Sequence, residues 1–282
     1  MTLKKVLSIS RPRFWLYEGA TFALIGVLAS ATGTAFIQNP LFWIWSFYFL
    51  IPANILIYGV NDMCDYETDK LNPKKQSYET LVTPVMHPAL WRWIAFTTIP
   101  FLFFLPYEKP ALISFGVFIF CAVFYSLPPI RAKARPFLDA LFSAGHYVAT
   151  GVFGYYIGGG DGIPYVGILA GMLWATAMHA YSAVPDIDAD TKAGIPTIAT
   201  FLGKKMTLLL CALLYTGSAL ILGSRMPLVA LMGGIVFLTL MYLSYRTTTN
   251  EDLFKLYTYF PLINTSIGAL VSITLIYGII MK

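Results

Sequence analysis

The sequence predicts an all-α, polytopic membrane protein: nine transmembrane helices, four plus four in a pseudo-repeat with one appended, forming a single domain over residues 1–282. Three observations lead there. The chain is 57% hydrophobic and only 12% charged, about half the charged fraction of a soluble domain, and its mean hydropathy is +0.69. Apolar runs of ~20 residues, each able to cross a bilayer as a helix, recur from end to end. Basic residues collect in the breaks between alternate runs.

The first run covers about 14–32. Lys4, Lys5 and the small residues Ala29-Ser30-Ala31 imitate a signal peptide with its cleavage site, but Glu18 and the length of the run favour a retained span. Further runs fall at about 40–60, 87–106, 110–127, 137–157, 163–183, 206–224, 227–245 and 256–280. Turn signals separate them: Asn39-Pro40, Glu108-Lys109-Pro110, Pro128-Pro129, Gly158-Gly159-Gly160-Asp161-Gly162 and Arg225-Met226-Pro227. Several connections are so short that the flanking helices are expected to be antiparallel neighbours.

With nine spans, one face receives the N-terminus and the loops near 61–86, 128–136, 184–205 and 246–255. Sixteen of the 19 Lys and Arg lie on that side, all but Lys109, Arg225 and Lys282. This asymmetry places the N-terminus and the long loops in the cytoplasm, with the protein in the cell membrane. The formal charge of +5 is thus a topology signal rather than a nucleic-acid footprint. Cys64, Cys121 and Cys211 are scattered and form no disulfide framework or zinc spacing.

Against this apolar background, two acidic windows stand out. Asn61-Asp62-Met63-Cys64-Asp65-Tyr66-Glu67-Thr68-Asp69 and Asp186-Ile187-Asp188-Ala189-Asp190 hold seven of the 14 acidic residues. Continued as helices, they bring Asn61, Asp62, Asp65 and Asp69 onto one face and Asp186 and Asp190 onto another. Like charges at that spacing call for a counter-cation, and all-oxygen clusters suit Mg²⁺ carrying a phosphorylated ligand. Asp65 and Asp69 precede Asp186 and Asp190 by 121 residues each, and four spans intervene, so both windows emerge on the cytoplasmic face. A parallel internal duplication has that appearance.

A diphosphate also needs cations from the protein. Lys70, Lys74 and Lys75 follow the first window and Lys192 the second; Arg131 and Lys133 lie in the loop Tyr125–Lys133, and Arg11 stands at the foot of the first span. His87, His146 and His179 share no metal-ligand spacing. Glu18 and Asp139, in or near spans, are candidates because ionisable groups there usually have a task. Asn54 and Tyr58 could carry the polar face of the second helix into a cavity.

The motifs Asn61-Asp62-x-x-Asp65-x-x-x-Asp69 and Asp186-x-x-x-Asp190 resemble the two aspartate-rich motifs of the UbiA superfamily of intramembrane prenyltransferases. Ser10-Arg11-Pro12, the Tyr125–Lys133 loop and Asp190-x-x-x-Gly194-x-x-Thr197-x-Ala199-x-x-x-Gly203 extend the likeness over nearly the whole chain. The resemblance implies a nine-helix bundle open laterally to lipid, binding a polyprenyl diphosphate through Mg²⁺. It implies metal-binding roles for Asp62, Asp65, Asp69, Asp186 and Asp190, with Asn61 beside them in the catalytic set. Arg11, Arg131 and Lys133 would contact the diphosphate. One departure is informative. Many members that prenylate aromatic acids or quinone precursors continue the first loop with Arg-Pro-Leu, where this chain has Asn72-Pro73-Lys74-Lys75. That segment, the opening Ser10–Tyr17 and Ser182-Ala183-Val184-Pro185-Asp186 look closest to the lycopene elongase branch, whose members add a C5 dimethylallyl unit to a carotenoid end.

The expected function is Mg²⁺-dependent transfer of a prenyl group from an allylic diphosphate donor to a lipophilic acceptor reached through the membrane lipids, lycopene being one such acceptor. Alternatives are a phenolic or quinone precursor, a chlorin or a glyceryl lipid as acceptor, and, in another class, an ion or metal transporter.

Overall fold

The computed structural model describes residues 1–16, 21–70 and 80–281. Glu18, Lys74 and Lys75 therefore lie outside the described residues. Every regular element among those described is helical, and the chain divides into two compact units.

The first unit comprises Met1–Arg131, Ala149–Asp161 and Gly278–Lys282. Its helices are α1 (Leu3–Ile9), α2 (Thr21–Ser30), α3 (Pro40–Leu50), α4 (Pro52–Cys64), α5 (Tyr66–Asp69), α6 (His87–Leu102), α7 (Lys109–Phe124) and the second half of α8 (Leu138–Ile157). The run expected as one helix over 40–60 is two. Pro52 has no N–H for the helical ladder, and Ile51 leaves helical geometry at φ −122°, ψ −61°. Asn54, fully buried, donates its side-chain amide to the carbonyls of Phe49 (3.2 Å) and Leu50 (3.0 Å). It patches the break rather than lining a cavity.

Aromatic rings build the core of this unit. Trp45 lies 4.6 Å from Phe153 and 5.2 Å from Phe115, and Phe49 lies 5.4 Å from Phe118, all as edge contacts favoured by the ring quadrupole. Helices α2 and α8 meet through small residues. A Cβ on Gly26 would stand 1.9 Å from the Gly151 carbonyl oxygen, and one on Gly154 would stand 2.1 Å from that of Ala23. Backbones approach this closely only where side chains are absent, the means by which helices associate in lipid.

The second unit comprises Ala132–Val148 and Gly162–Tyr277. It contains the first half of α8, then α9 (Tyr165–Ala183), α10 (Ile187–Ala193), α11 (Ile198–Gly223), α12 (Pro227–Arg246), α13 (Asn250–Tyr257) and most of α14 (Phe260–Ile280). Side-chain hydrogen bonds and ring stacking tie α11 to its neighbours. Ser218 donates to the Ala170 carbonyl at 2.8 Å, and Tyr215 stacks on Phe237 at 4.3 Å. The Tyr181 and Ser244 hydroxyls join α9 to α12 at 2.9 Å.

Four helical stretches are long and apolar enough to cross a membrane: Pro40–Cys64, Ile198–Gly223, Pro227–Arg246 and Asn250–Ile280. Thr21–Ser30 and Lys109–Phe124 are apolar but shorter. Among the described residues the expected nine spans are thus not reached by length and composition. Helices α8 and α9 occupy two of the expected positions, but their Gly, Ser, Thr, Tyr and His residues lower their hydropathy.

Candidate active site

The two acidic windows share a local device. Helix α4 stops at Cys64, and Asp65 takes φ −107°, ψ 7° before the short helix α5. Helix α9 likewise ends before Asp186, which takes φ −95°, ψ 1° ahead of α10. Both values fall in the sparsely populated bridge region, a frequent setting for active-site residues. In each window the second aspartate lies one turn on: the Asp69 N–H donates to the Asp65 carbonyl and the Asp190 N–H to the Asp186 carbonyl, both at 2.8 Å. The expectation of continuous helices through the windows is corrected by these junctions. The i, i+4 pairing survives because each pair starts its own turn.

In the first unit, Asp62 is almost wholly buried and accepts from the Arg11 guanidinium at 2.9 Å, which also stacks 4.4 Å from the centre of the Tyr58 ring. Arg131 stands 3.8 Å from Asp65. Both arginines have left-handed backbones, φ 52° and 42°, an unusual conformation for a residue with a Cβ. Such strain, of order 1–3 kcal/mol per residue, concentrates at functional sites. Asn61 accepts from the Ser126 hydroxyl at 3.0 Å, so the Tyr125–Lys133 loop braces the first window. Lys70 is exposed and paired with Glu67, whose hydrogen bond raises its pKa.

In the second unit, Asp186 is exposed and Asp190 half-buried. Burial first, then the neighbouring charges of Asp186 and Asp139, push the Asp190 carboxyl up to about 6. Asp139 is completely buried, accepts the Ile198 N–H at 2.8 Å, and lies 3.6 Å from His179 Nε2. Gly194 ends α10 at φ 66°, a left-handed cap that glycine adopts freely. Thr197 then opens α11 with a capping box closed by Thr200, and Gly203 breaks α11 at φ 72°, ψ 164°. Lys133 is buried and Lys192 exposed. Asp188 accepts from Asn250 at 2.6 Å.

Among the described residues no three His, Cys, Asp or Glu side chains converge closely enough to enclose a metal ion unaided. Mg²⁺ does not require that: it keeps several waters and takes one or two carboxylates together with substrate phosphate oxygens. Two carboxylates one turn apart fit this.

A sequence model of the UbiA prenyltransferase family matches residues 20–268. This chain belongs to the UbiA prenyltransferase family. It is 35% identical over 274 residues to the lycopene elongase/hydratase of Haloarcula japonica, covering 93% of this chain and 88% of the relative. It is 34% identical over 279 residues to that of Halobacterium salinarum, covering 96% and 97%. A UbiA homolog from Archaeoglobus fulgidus, solved with DMAPP and Mg²⁺, shares its fold with a TM-score of 0.71 at 19% identity, covering 97% of this chain and 99% of the other. As a UbiA-type prenyltransferase this chain is an enzyme, not a transporter, and family members are membrane proteins.

Several neighbours of the UbiA motifs were not assigned roles from the sequence. Ser126 follows α7 in a loop and Asn250 opens α13, places where hydroxyls and amides are ordinary. Tyr58 stood out as polar in an apolar helix, but its place beside Arg11 needed the fold.

Proposed function

We propose that this enzyme transfers a dimethylallyl-sized group from its diphosphate to the end of a linear carotenoid such as lycopene, with Mg²⁺ as cofactor. What carries the reading is the joint presence of the two aspartate pairs and of 34–35% identity, over nearly full length, to relatives named lycopene elongase/hydratase. The Archaeoglobus homolog binds DMAPP and Mg²⁺, which supports a donor and metal of this class.

In this reading the two units work as one catalytic domain, with nine spans and a cytoplasmic N-terminus. Asp65 and Asp69, with Asp62 and Asn61 beside them, and Asp186 with Asp190 hold the metal-bound diphosphate. Mg²⁺, when bound, neutralises the diphosphate and makes it a better leaving group. Arg11, Arg131 and Lys133 hold diphosphate oxygens, with Lys70, Lys74, Lys75 and Lys192 as outer cations, so charge develops against donors already in place. The C–O bond breaks toward the diphosphate, the terminal double bond of the carotenoid attacks the allylic carbon, and the resulting tertiary cation loses a proton or captures water.

The test is product analysis in lycopene-producing cells. Mass spectrometry is expected to find carotenoids lengthened by C5 units with the wild-type protein and none with Asp65→Ala or Asp186→Ala at equal membrane abundance. Unlengthened lycopene beside abundant wild-type protein, or equal products from the variants, would refute the proposal.

A further inference from the structure

The fourteen residues 184–197 between α9 and α11 carry Asp186, Asp190 and the short helix α10. A strap of that length, exposed over much of α10, needs fixed ends if two carboxylates are to keep a set separation. One side chain meets the structure flanking both ends. Asp139, in the first turn of α8, accepts the backbone N–H of Ile198, the first residue of α11, at 2.8 Å. The same oxygen lies 3.6 Å from Nε2 of His179, which is less than two turns before Asp186 in the chain. Ile198 itself is buried at 1% exposure and Asp139 at 0%.

A helix start can be capped more cheaply than this. Thr197 already closes its own box with Thr200. The Asp139 carboxylate is also one of the charges that raise the Asp190 carboxyl, after burial and Asp186. Since Thr197 and Thr200 already cap this helix start, the added bond from Asp139 does something further: it ties the start of α11 to α8 and, through His179, to α9.

We propose that Asp139 is a positioning residue for the metal-binding pair Asp186 and Asp190, pinning the strap that carries them by its contacts with Ile198 and His179. The inference rests on the metal-binding role of that pair. Asp139 does not touch the donor; it fixes where the two ligands stand. Loss of the pin lets the pair splay, and a hard ion that demands near-ideal geometry is the first thing to be lost.

The experiment is Mn²⁺ binding to the full-length protein in detergent without substrate, followed by the loss of the free-ion electron paramagnetic resonance signal, alongside thermal unfolding. Asp139→Ala is expected to weaken Mn²⁺ binding at least tenfold and to raise KM for the donor more than it lowers kcat. Asp139→Asn keeps an oxygen for the Ile198 N–H and is expected to stay within threefold of wild type. His179→Leu removes the other contact, leaves the Ile198 cap in place, and is expected to cost three- to tenfold; it serves as the test if Asp139→Ala fails to fold. Mn²⁺ affinities within twofold of wild type for Asp139→Ala, or for His179→Leu if that variant alone folds, would overturn the proposal, even with a lower Tm. So would an Asp139→Asn variant as weak as Asp139→Ala, since charge and not anchoring would then matter. Asp186→Ala and Asp190→Ala serve as references: if they bind Mn²⁺ like wild type, the metal-binding reading has failed, whereas if they lose it and Asp139→Ala does not, only the positioning role has.

Discussion

Lowering the pH should weaken the metal binding proposed for the second aspartate pair. The Asp190 carboxyl, raised to about 6 by burial, by Asp186 and by Asp139, must give up its proton before it can ligate a cation. If only the ionised form binds, the apparent dissociation constant scales as one plus ten to the power of the pKa minus the pH. From pH 7.5, where the penalty is negligible, the constant should roughly double by pH 6 and reach about 11 times its plateau by pH 5. Stability of the metal-free protein runs the other way. The folded carboxyl holds its proton more tightly than an unfolded one, so this contribution is full below about pH 4 and is lost as the pH rises through about 6. Mn²⁺ titrations between pH 5 and 7.5, paired with thermal unfolding in chelator, read both trends. A dissociation constant that changes less than twofold between pH 7 and pH 5 would refute the reasoning.

Two further outcomes follow from packing. Gly154→Val would set a side chain against the Ala23 carbonyl, where even a Cβ would stand at 2.1 Å; overpacking of this kind costs about 1–3 kcal/mol. It should be visible as a lower Tm in detergent, and an unchanged Tm would count against the close approach of α2 and α8. Asn54→Leu removes the donor to the Phe49 and Leu50 carbonyls in a buried place, at a cost of about 1–3 kcal/mol. Asn54→Asp, which keeps the shape but not the donor, should be at least as damaging; equal Tm values for wild type and both variants would show that the break at Ile51 needs no such patch.

Much of the helical architecture was legible because apolar runs of bilayer length are a coarse signal that local detail cannot hide. What periodicity missed were interruptions. A proline at position 52 reads equally well as a helix start or as a kink, and the deciding feature, an Asn54 amide reaching back to the preceding turn, is a side-chain contact. The start of α11 at Ile198, eight residues before the expected span, was hidden because Lys204 and Lys205 look like a loop; the capping box at Thr197 and Thr200 carries the helix through them. The high aromatic content, 16% of the chain, is partly explained by the packed core around Trp45.

The site divides along the same line. The two acidic windows stand out in the sequence because acid is scarce in this chain, and scarcity makes position informative. Their backbone setting does not, since a pair at i, i+4 looks the same on a continuous helix as on a new turn started by its first member. The difference has a chemical consequence. On a continuous helix the two carboxylates would inherit the direction of the preceding apolar span, whereas a bridge-region junction lets Asp65 and Asp186 set the direction of the following turn independently of it. Two windows 121 residues apart have the same junction, with the same 2.8 Å hydrogen bond from the second aspartate to the first. Chance local strain would not be expected to repeat at matched offsets, so the repeat is one backbone device used twice. Asp139 stands out in the sequence as an acid in a span, but its contacts lie 40 and 59 residues away at His179 and Ile198, and no pattern in one sequence ties residues at such distances to a common task.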